Sequence, residues 1–251
     1  LPRIFIRVRT PEHWRAVALK YNPFASVITG YILPKFDLQN AAAYLRLTEQ
    51  LNAESTAPIY IMPILESAMI ADPLTRITVL TKLRQLLDTI APRVLNIRVG
   101  ANDLLNLYGL RCPVDKTIYD IAVVSDILLD IVRVFATDYV VSGPVWNHFG
   151  RSEDEPWAVG LKRELTLDRL NGFIGKTAIH PCQLPLIRQS LMVSREDYTD
   201  ACTILHWDSP TAAVEKGCGG GRLNELKCHR NWAQRTKLLG DIYGCSRSEE
   251  R

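Results

Sequence analysis

The feature that most constrains this chain is a recurrence: short apolar runs with strand character, each followed by residues of helical periodicity. The runs fall at residues 3–8 (RIFIRV), 28–33 (ITGYIL), 59–65 (IYIMPIL), 94–99 (VLNIRV), 139–142 (YVVS) and 173–179 (FIGKTAI). They are nearly continuous in apolar character, which is the pattern of strands covered on both faces in a parallel sheet. Between them, Leu74, Ile77, Leu80, Leu83, Leu87 and Ile90 recur at helical spacing after Asp72 and Pro73. This predicts a helix with Asp72 as N-cap and Pro73 at its first position. Residues 118–135 predict a second helix and residues 41–51 a third. Ser194, with Asp197 three residues on, opens a fourth in the manner of a capping box.

Strands alternating with helices place the chain in the α/β class, with a parallel sheet sheathed by helices. An open doubly wound sheet would be favoured by a Gly-rich dinucleotide fingerprint after a strand, and none is present. The Gly-rich stretch 217–221 precedes Arg222 and follows no strand-like run, so it reads as a mobile loop. A TIM-type (β/α) barrel needs about eight strands. Six are visible, and the chain opens almost at once on a strand. The expectation is therefore a barrel lacking its first two β/α units, built from residues 1–205. Residues 206–251 would form a C-terminal lid and a helix through Leu226, Trp232 and Leu239.

Composition excludes several classes. The chain has 251 residues, 47% of them hydrophobic and 23% charged, enough to bury a core without staples. A net charge of +3, with no basic run interleaved with aromatics, points away from nucleic acid. The longest apolar runs are too short to span a membrane, and no leader pattern opens the chain. The six cysteines are scattered and read as reduced thiols of a cytoplasmic protein. A zinc site from Cys218, Cys228, His229 and Cys245 can be drawn, but the spacing fits no familiar zinc module.

Each apolar run ends in a polar residue or a turn that leads to one. Arg7 and Arg9 close the first, Lys35 the second, Glu66 the third and Asp103 the fourth. Trp146 and Asn147 follow the fifth, and His180 closes the sixth. In a parallel barrel the C-terminal strand ends share one face, where active sites lie. A charge after one strand is ordinary, because every strand eventually meets solvent. Glu66 and Asp103 are more pointed, because each closely follows a buried-looking run and has small or turn residues beside it. Two carboxylates at a barrel mouth can hold Mg²⁺ and leave positions for water and substrate. Arg7 would clamp a carboxylate or carbonyl oxygen with its planar fork.

Several stretches carry a family resemblance. IRVRT at 6–10, GYILPK at 30–35, PILESA at 63–68, VGANDL at 99–104 and GKTAIHPCQ at 175–183 occur in family order. On these the chain resembles the citrate lyase β-subunit-like family of the HpcH/HpaI aldolase superfamily, in particular a branch of TIM-barrel carbon–carbon bond lyases. The resemblance covers roughly residues 3–205. It implies a (β/α)₈ barrel, often trimeric, with Mg²⁺ on Glu66 and Asp103 and a substrate-binding arginine at Arg7. Family members carry a lid acid within a pattern like G-x-M-x-D; residues 221–225 (GRLNE) resemble it, with Glu225 in place of Asp. The first two barrel units of the family have no counterpart here. The Glu66-to-Asp103 separation (103 − 66 = 37) is longer than usual for the family, which predicts an enlarged intervening helix.

The expected activity is retro-aldol or Claisen-type cleavage of a β-hydroxy acid or its acyl-CoA thioester, in a homo-oligomer. Arg7 would neutralise charge developing on oxygen. Glu225 or a metal-bound water would carry the proton. Lys35, Trp146 and His180 are expected to contact substrate, with His148 beside them; Lys35 could alternatively form a Schiff base. From a different class, a non-catalytic barrel acting as a binding or scaffold subunit also fits a shortened barrel.

Overall fold

The computed structural model describes residues 3–20, 27–207 and 214–246. Leu1 and Pro2, where the chain opens, and residues 208–213 and 247–251 of the expected lid lie outside the described residues. The chain divides into two compact units, one running to Gln183 and one beginning at Leu184. This boundary falls earlier than the expected one at 205/206.

The first unit is a repeated β/α arrangement. Strands β1 (Ile4–Arg7), β2 (Ile28–Leu33), β3 (Tyr60–Leu65), β4 (Ile97–Val99) and β5 (Val141–Ser142) form one sheet in sequence order. Every neighbouring pair is parallel. Sequential order without reversal gives no topological switch point, which separates this sheet from the doubly wound type. The expected sixth strand, 173–179, is reduced to one parallel bridge between Gly143 and Lys176. Two backbone bonds support it, from Gly143 N to Gly175 O and from Ile174 N to Val141 O. Gly175 has φ +72, which breaks the extended geometry a longer ladder needs. Among the described residues the sheet is not closed into a barrel: no pairing joins β1 to β5 or to the segment beyond it.

Helices α1 (Pro11–Lys20), α2 (Ala41–Glu54), α3 (Arg76–Asp88), α4 (Ala101–Leu107), α5 (Ala122–Phe135) and α6 (Pro156–Leu170) follow the strands. The register fixes two faces. Tyr31 pairs with Ile61, Leu65 with Val99, and Ile97 with Val141, and all of these belong to the core cluster. The helices supply the other side of that core through Trp14, Tyr44, Leu83, Leu87, Leu128 and Ile131. The opposite face is set by the alternate rungs, Arg7–Ile32–Met62 and Ile64–Arg98–Ser142. Because strand side chains alternate, Glu66, two residues beyond Ile64, follows the same face.

Two helix expectations need correction. Asp72 does not cap a helix beginning at Pro73. It closes a turn by accepting from Leu74 N and Thr75 Oγ1, and α3 begins at Arg76. Leu74 and Ile77 consequently point outward, with Leu74 91% exposed. The segment from 118 is split: a 3₁₀ turn at Ile118–Asp120, closed by a Thr117–Asp120 capping box, precedes α5. Arg76, buried, ties α3 to α5 through Asp126 and Asp130.

The second unit contains α7 (Leu184–Ser190), β6 (Val193–Ser194), α8 (Arg195–Leu205), β7 (Val214–Lys216), β8 (Leu223–Glu225), α9 (Leu226–Tyr243) and β9 (Cys245–Ser246). Ser194 caps α8 as expected, its side chain accepting from Asp197 N at 2.9 Å. The Gly-rich stretch is the turn of an antiparallel hairpin, β7 to β8, instead of a free loop. Buried Asp200 holds that turn by accepting from Cys218 N and Arg222 Nε. Helices α8 and α9 enclose Ala201, Ile204 and Ala233. No helix among the described residues is long and apolar enough to cross a membrane.

Candidate active site

The site begins with a backbone irregularity. After β2 the chain must turn at once, because Phe36 is drawn down into the core, where its ring lies 6.1 Å from Tyr44, and its N–H bonds Ile64 O at 3.0 Å. Lys35 makes the turn with φ +50, the one positive φ outside glycine among the described residues. That conformation is costly for a side chain larger than Gly. It aims the Lys35 N–H at Glu66 Oε1, 2.9 Å away. Glu66, at the end of β3, is only 5% exposed.

The other parts arrive from neighbouring strands. Arg7, at the end of β1, places Nη2 at 3.8 Å from Glu66 Oε1. Asp103, in the first turn of α4 after β4, lies 3.3 Å from Lys35 Nζ. Gly100, between β4 and Asp103, sits so close that a Cβ there would fall 1.8 Å from Glu66 Oε2. The Gly-Ala-Asn-Asp sequence thus has a steric reason: only glycine leaves room for the Glu66 carboxylate. Burial raises the Glu66 pKa above its ordinary value; the Lys35 N–H opposes this, and the nearby Asp103 carboxylate adds to it.

This donor set fits a divalent metal. It offers two carboxylates, the buried Glu66 and Asp103 near enough to disfavour the charge on Glu66, in a cradle that a larger residue at 100 would fill. The cations now facing them are long and exposed, at 60% for the Arg7 side chain and 67% for Lys35, so they can swing aside. No group of three or more His, Cys, Asp or Glu side chains gathers among the described residues, so Cys218, Cys228, His229 and Cys245 form no set, and Glu66 and Asp103 would offer a metal two protein ligands.

The structure thus brings Arg7, Lys35, Glu66 and Asp103 together. Trp146 departs from its expected role. It is 2% exposed, and its Nε1–H donates to Trp157 O at 3.0 Å. Its ring packs over Gly160, where a Cβ would meet it at 2.5 Å. This is a core residue with its one polar group already used. His148 packs against it, 5.1 Å between rings, with Nε2 at 3.1 Å from Cys112 O. His180 stacks on Phe149 at 4.6 Å, and its Nδ1 accepts from Cys182 N. Glu225 belongs to the second unit, at the end of β8 and the N-cap of α9, with its N–H bonded to His229 Nδ1.

Four polar groups were missed at the sequence level. Lys176 is fully buried and pairs at 2.8 Å with both Glu164 and Asp168 of α6. Glu164 and Asp168 are four residues apart, on one helix face, and a lone lysine interrupts an apolar run; that combination was the available signal. The fourth is Arg98, within β4, which donates to Thr177 Oγ1. Two surface hollows of about 460 and 450 Å³ lie elsewhere. The second is lined by Val94, Leu95 and Val140, at the opposite ends of the strands, where a β/α sheet carries stability instead of chemistry.

A search among curated proteins finds no match. Comparison with protein-family models matches residues 1–245 to the family described as C–C bond lyase of the TIM-barrel fold. The sequential parallel sheet and the cluster at its C-terminal strand ends agree with that assignment, and the chain belongs to this family of TIM-barrel carbon–carbon bond lyases.

Proposed function

We propose that the chain is a Mg²⁺-dependent lyase of the citrate lyase β-like kind, cleaving a carbon–carbon bond in a β-hydroxy acid or its acyl-CoA thioester. The observation that carries this reading is Glu66, a carboxylate buried at a strand end, with Asp103 beside it and the exposed cations Arg7 and Lys35 as their ion-pair partners. Bound there, the divalent cation supplies Lewis-acid polarisation of substrate oxygens. Glu66 and Asp103 would hold it.

The remaining work falls to the chain's own side chains. In a retro-aldol cleavage the β-hydroxyl would give its proton to the ionised Glu225 carboxylate, and its oxygen becomes the carbonyl oxygen of one product. The electron pair of the broken bond stays on the other fragment as an enolate, whose carbon then takes up a proton. The Arg7 guanidinium binds the anionic end of the substrate and offsets charge on the enolate oxygen. Lys35, at the rim, orients the anion through its ammonium group. Glu225 is the proposed proton donor to carbon, in a homo-oligomer that the resemblance makes a trimer.

The test is a turnover screen. The purified chain, with Mg²⁺ or with EDTA, is offered a panel of β-hydroxy acids and their CoA thioesters while keto product is followed. Turnover should need Mg²⁺ and be lost in Arg7→Met. Metal-independent turnover contradicts the reading. So does a folded, Mg²⁺-binding chain inert towards the whole panel, which would favour the scaffold reading.

A further inference from the structure

We infer that Arg98 is a second anion-binding group of this site, so that the site selects substrates bearing two anionic groups over those bearing one. The inference rests on reading the strand ends as a substrate site and adds a residue and a substrate class to it.

The first support is register. Arg98 pairs with Ile64 on one side and Ser142 on the other, while its neighbours Ile97 and Val99 are buried in the helix-facing core. Arg98 therefore projects from the other face, the one that carries Arg7 and Glu66. A guanidinium within a strand, flanked by core residues, is not an incidental surface charge. Arg7 on β1 and Arg98 on β4 are three strand spacings apart, roughly 14 Å of backbone, a gap that two arginine arms can close over Glu66 on β3.

The second support is charge. Three cations of this face, Arg7, Lys35 and Arg98, meet two carboxylates, Glu66 and Asp103. Arg98 lies near enough to both Arg7 and Glu66 to be affected by them: burial and the like charge of Arg7 lower its pKa, and Glu66 opposes the shift. Two guanidinium groups held near each other repel, and the repulsion is relieved when an anion lies between them. A bound divalent cation would enlarge the positive surplus.

The third support is orientation. The Arg98 Nη2 donates to Thr177 Oγ1, its only hydrogen-bond partner among the described residues. Thr177 follows Lys176, whose Nζ is locked to Pro144 O at 2.6 Å and to Glu164 and Asp168. The guanidinium is thus held at one corner by an anchored residue, with its other N–H groups open to a ligand. One anionic group would take Arg7 and the second Arg98. A carboxylate and a phosphate offer a guanidinium the same paired oxygens.

Binding calorimetry on the full chain tests this without turnover, so it can fail or hold apart from the lyase screen. The probes are malonate, acetate and inorganic phosphate. Wild-type protein should bind malonate at least about tenfold more tightly than acetate. Arg98→Met should remove that difference while leaving acetate affinity within about twofold, because Arg7 remains. Arg98→Lys should recover only part of it. If phosphate shows the stronger Arg98 dependence, the second group is a phosphate; if malonate does, a carboxylate. Equal wild-type affinity for malonate and acetate overturns the inference, as does a uniform loss for all probes in Arg98→Met. Should Arg98→Met not fold, Arg98→Lys takes its place: a malonate preference as large as wild type in that variant overturns the inference.

Discussion

Two charged clusters share the first unit, and they differ in where their cations sit. In one, the Lys176 side chain is 0% exposed and its partners Glu164 and Asp168 are 2% and 5% exposed. The groups there are tied to one another: Tyr119 Oη donates to Asp168 Oδ1, Ile118 N donates to Glu164, Lys176 also donates to Pro144 O, and Asp168 Oδ2 meets Lys176 as an ion pair without a hydrogen bond. In the other, buried Glu66 and its neighbour Asp103 pair with Arg7 and Lys35, whose side chains are mostly in solvent. The first cluster is a closed network that fixes the sixth segment against α6, where the strand ladder is only one bridge long. The second is open, and its cations can be displaced by a ligand. Burial of charge alone therefore does not mark an active site; exchangeable partners do.

The comparison makes opposite demands on stability, and the largest effect should come from the closed network. Lys176→Met leaves two buried carboxylates without their cation and should cost about 3–5 kcal/mol in denaturant unfolding. A loss below about 1 kcal/mol would mean that water or relaxation replaces Lys176, and the contrast between the clusters would fail.

Next in size is Glu225→Gln. A proton donor predicts a fall in kcat on the order of 10²-fold with Mg²⁺ binding intact. Its place at the start of α9 also gives it a helix-dipole role, which alone predicts normal turnover and a stability loss of about 0.3–1 kcal/mol. Normal kcat with a small drop in melting temperature would remove Glu225 from the chemistry.

The third effect sharpens the open cluster through pH. Glu66 titrates above its unfolded value near 4.5 because burial disfavours its charge. The metal-free folded state therefore holds this proton more tightly than the unfolded chain does. Its contribution to stability is full below the unfolded value and is lost as pH rises through the folded one. Metal binding needs the carboxylate ionised, so Mg²⁺ affinity should climb over the same window. The rise in melting temperature on adding Mg²⁺ should grow with pH from about 4.5 upward. A Mg²⁺ effect that is flat across that range would contradict the role of Glu66.

The last effect comes from Gly100→Ala. Its φ of −98 is open to alanine, so the cost is steric and not conformational. The new methyl would sit 1.8 Å from Glu66 Oε2 and 2.6 Å from Glu66 Cβ, so the buried side chain and the strand end that carries it must shift. Mg²⁺ affinity and the melting temperature should fall together. Unchanged affinity would show that the cradle is not used.

What could be read from the sequence follows from the same physics. The strands were legible because a parallel sheet buries both faces and leaves continuous apolar runs. Glu66 and Asp103 were legible because each closely follows such a run. Helix α6 was not, because Glu164 and Asp168 face inward and interrupt its apolar stripe where the closed network requires them. Arg98 was missed because it lies inside a strand, where a charge looks like noise until register shows which face it occupies. The split at 118–121 and the late start of α3 go with long-range bonds that no local pattern shows, from Ile118 N to Glu164 and from Arg76 to Asp126 and Asp130. Trp146 drew attention by lying beyond a strand, but its position says nothing about depth.

The central claim is that Glu66 and Asp103 together form a metal site. Calorimetric titration of Mg²⁺ into wild-type protein and Glu66→Gln tests it most directly. Wild-type protein should bind one Mg²⁺ per chain, and Glu66→Gln should weaken that binding by about tenfold or more, because a charged oxygen ligand is replaced by a neutral one. The variant should fold at least as stably as the metal-free wild type at neutral pH, because a buried charge is gone. Equal Mg²⁺ affinity in the two proteins would contradict the claim.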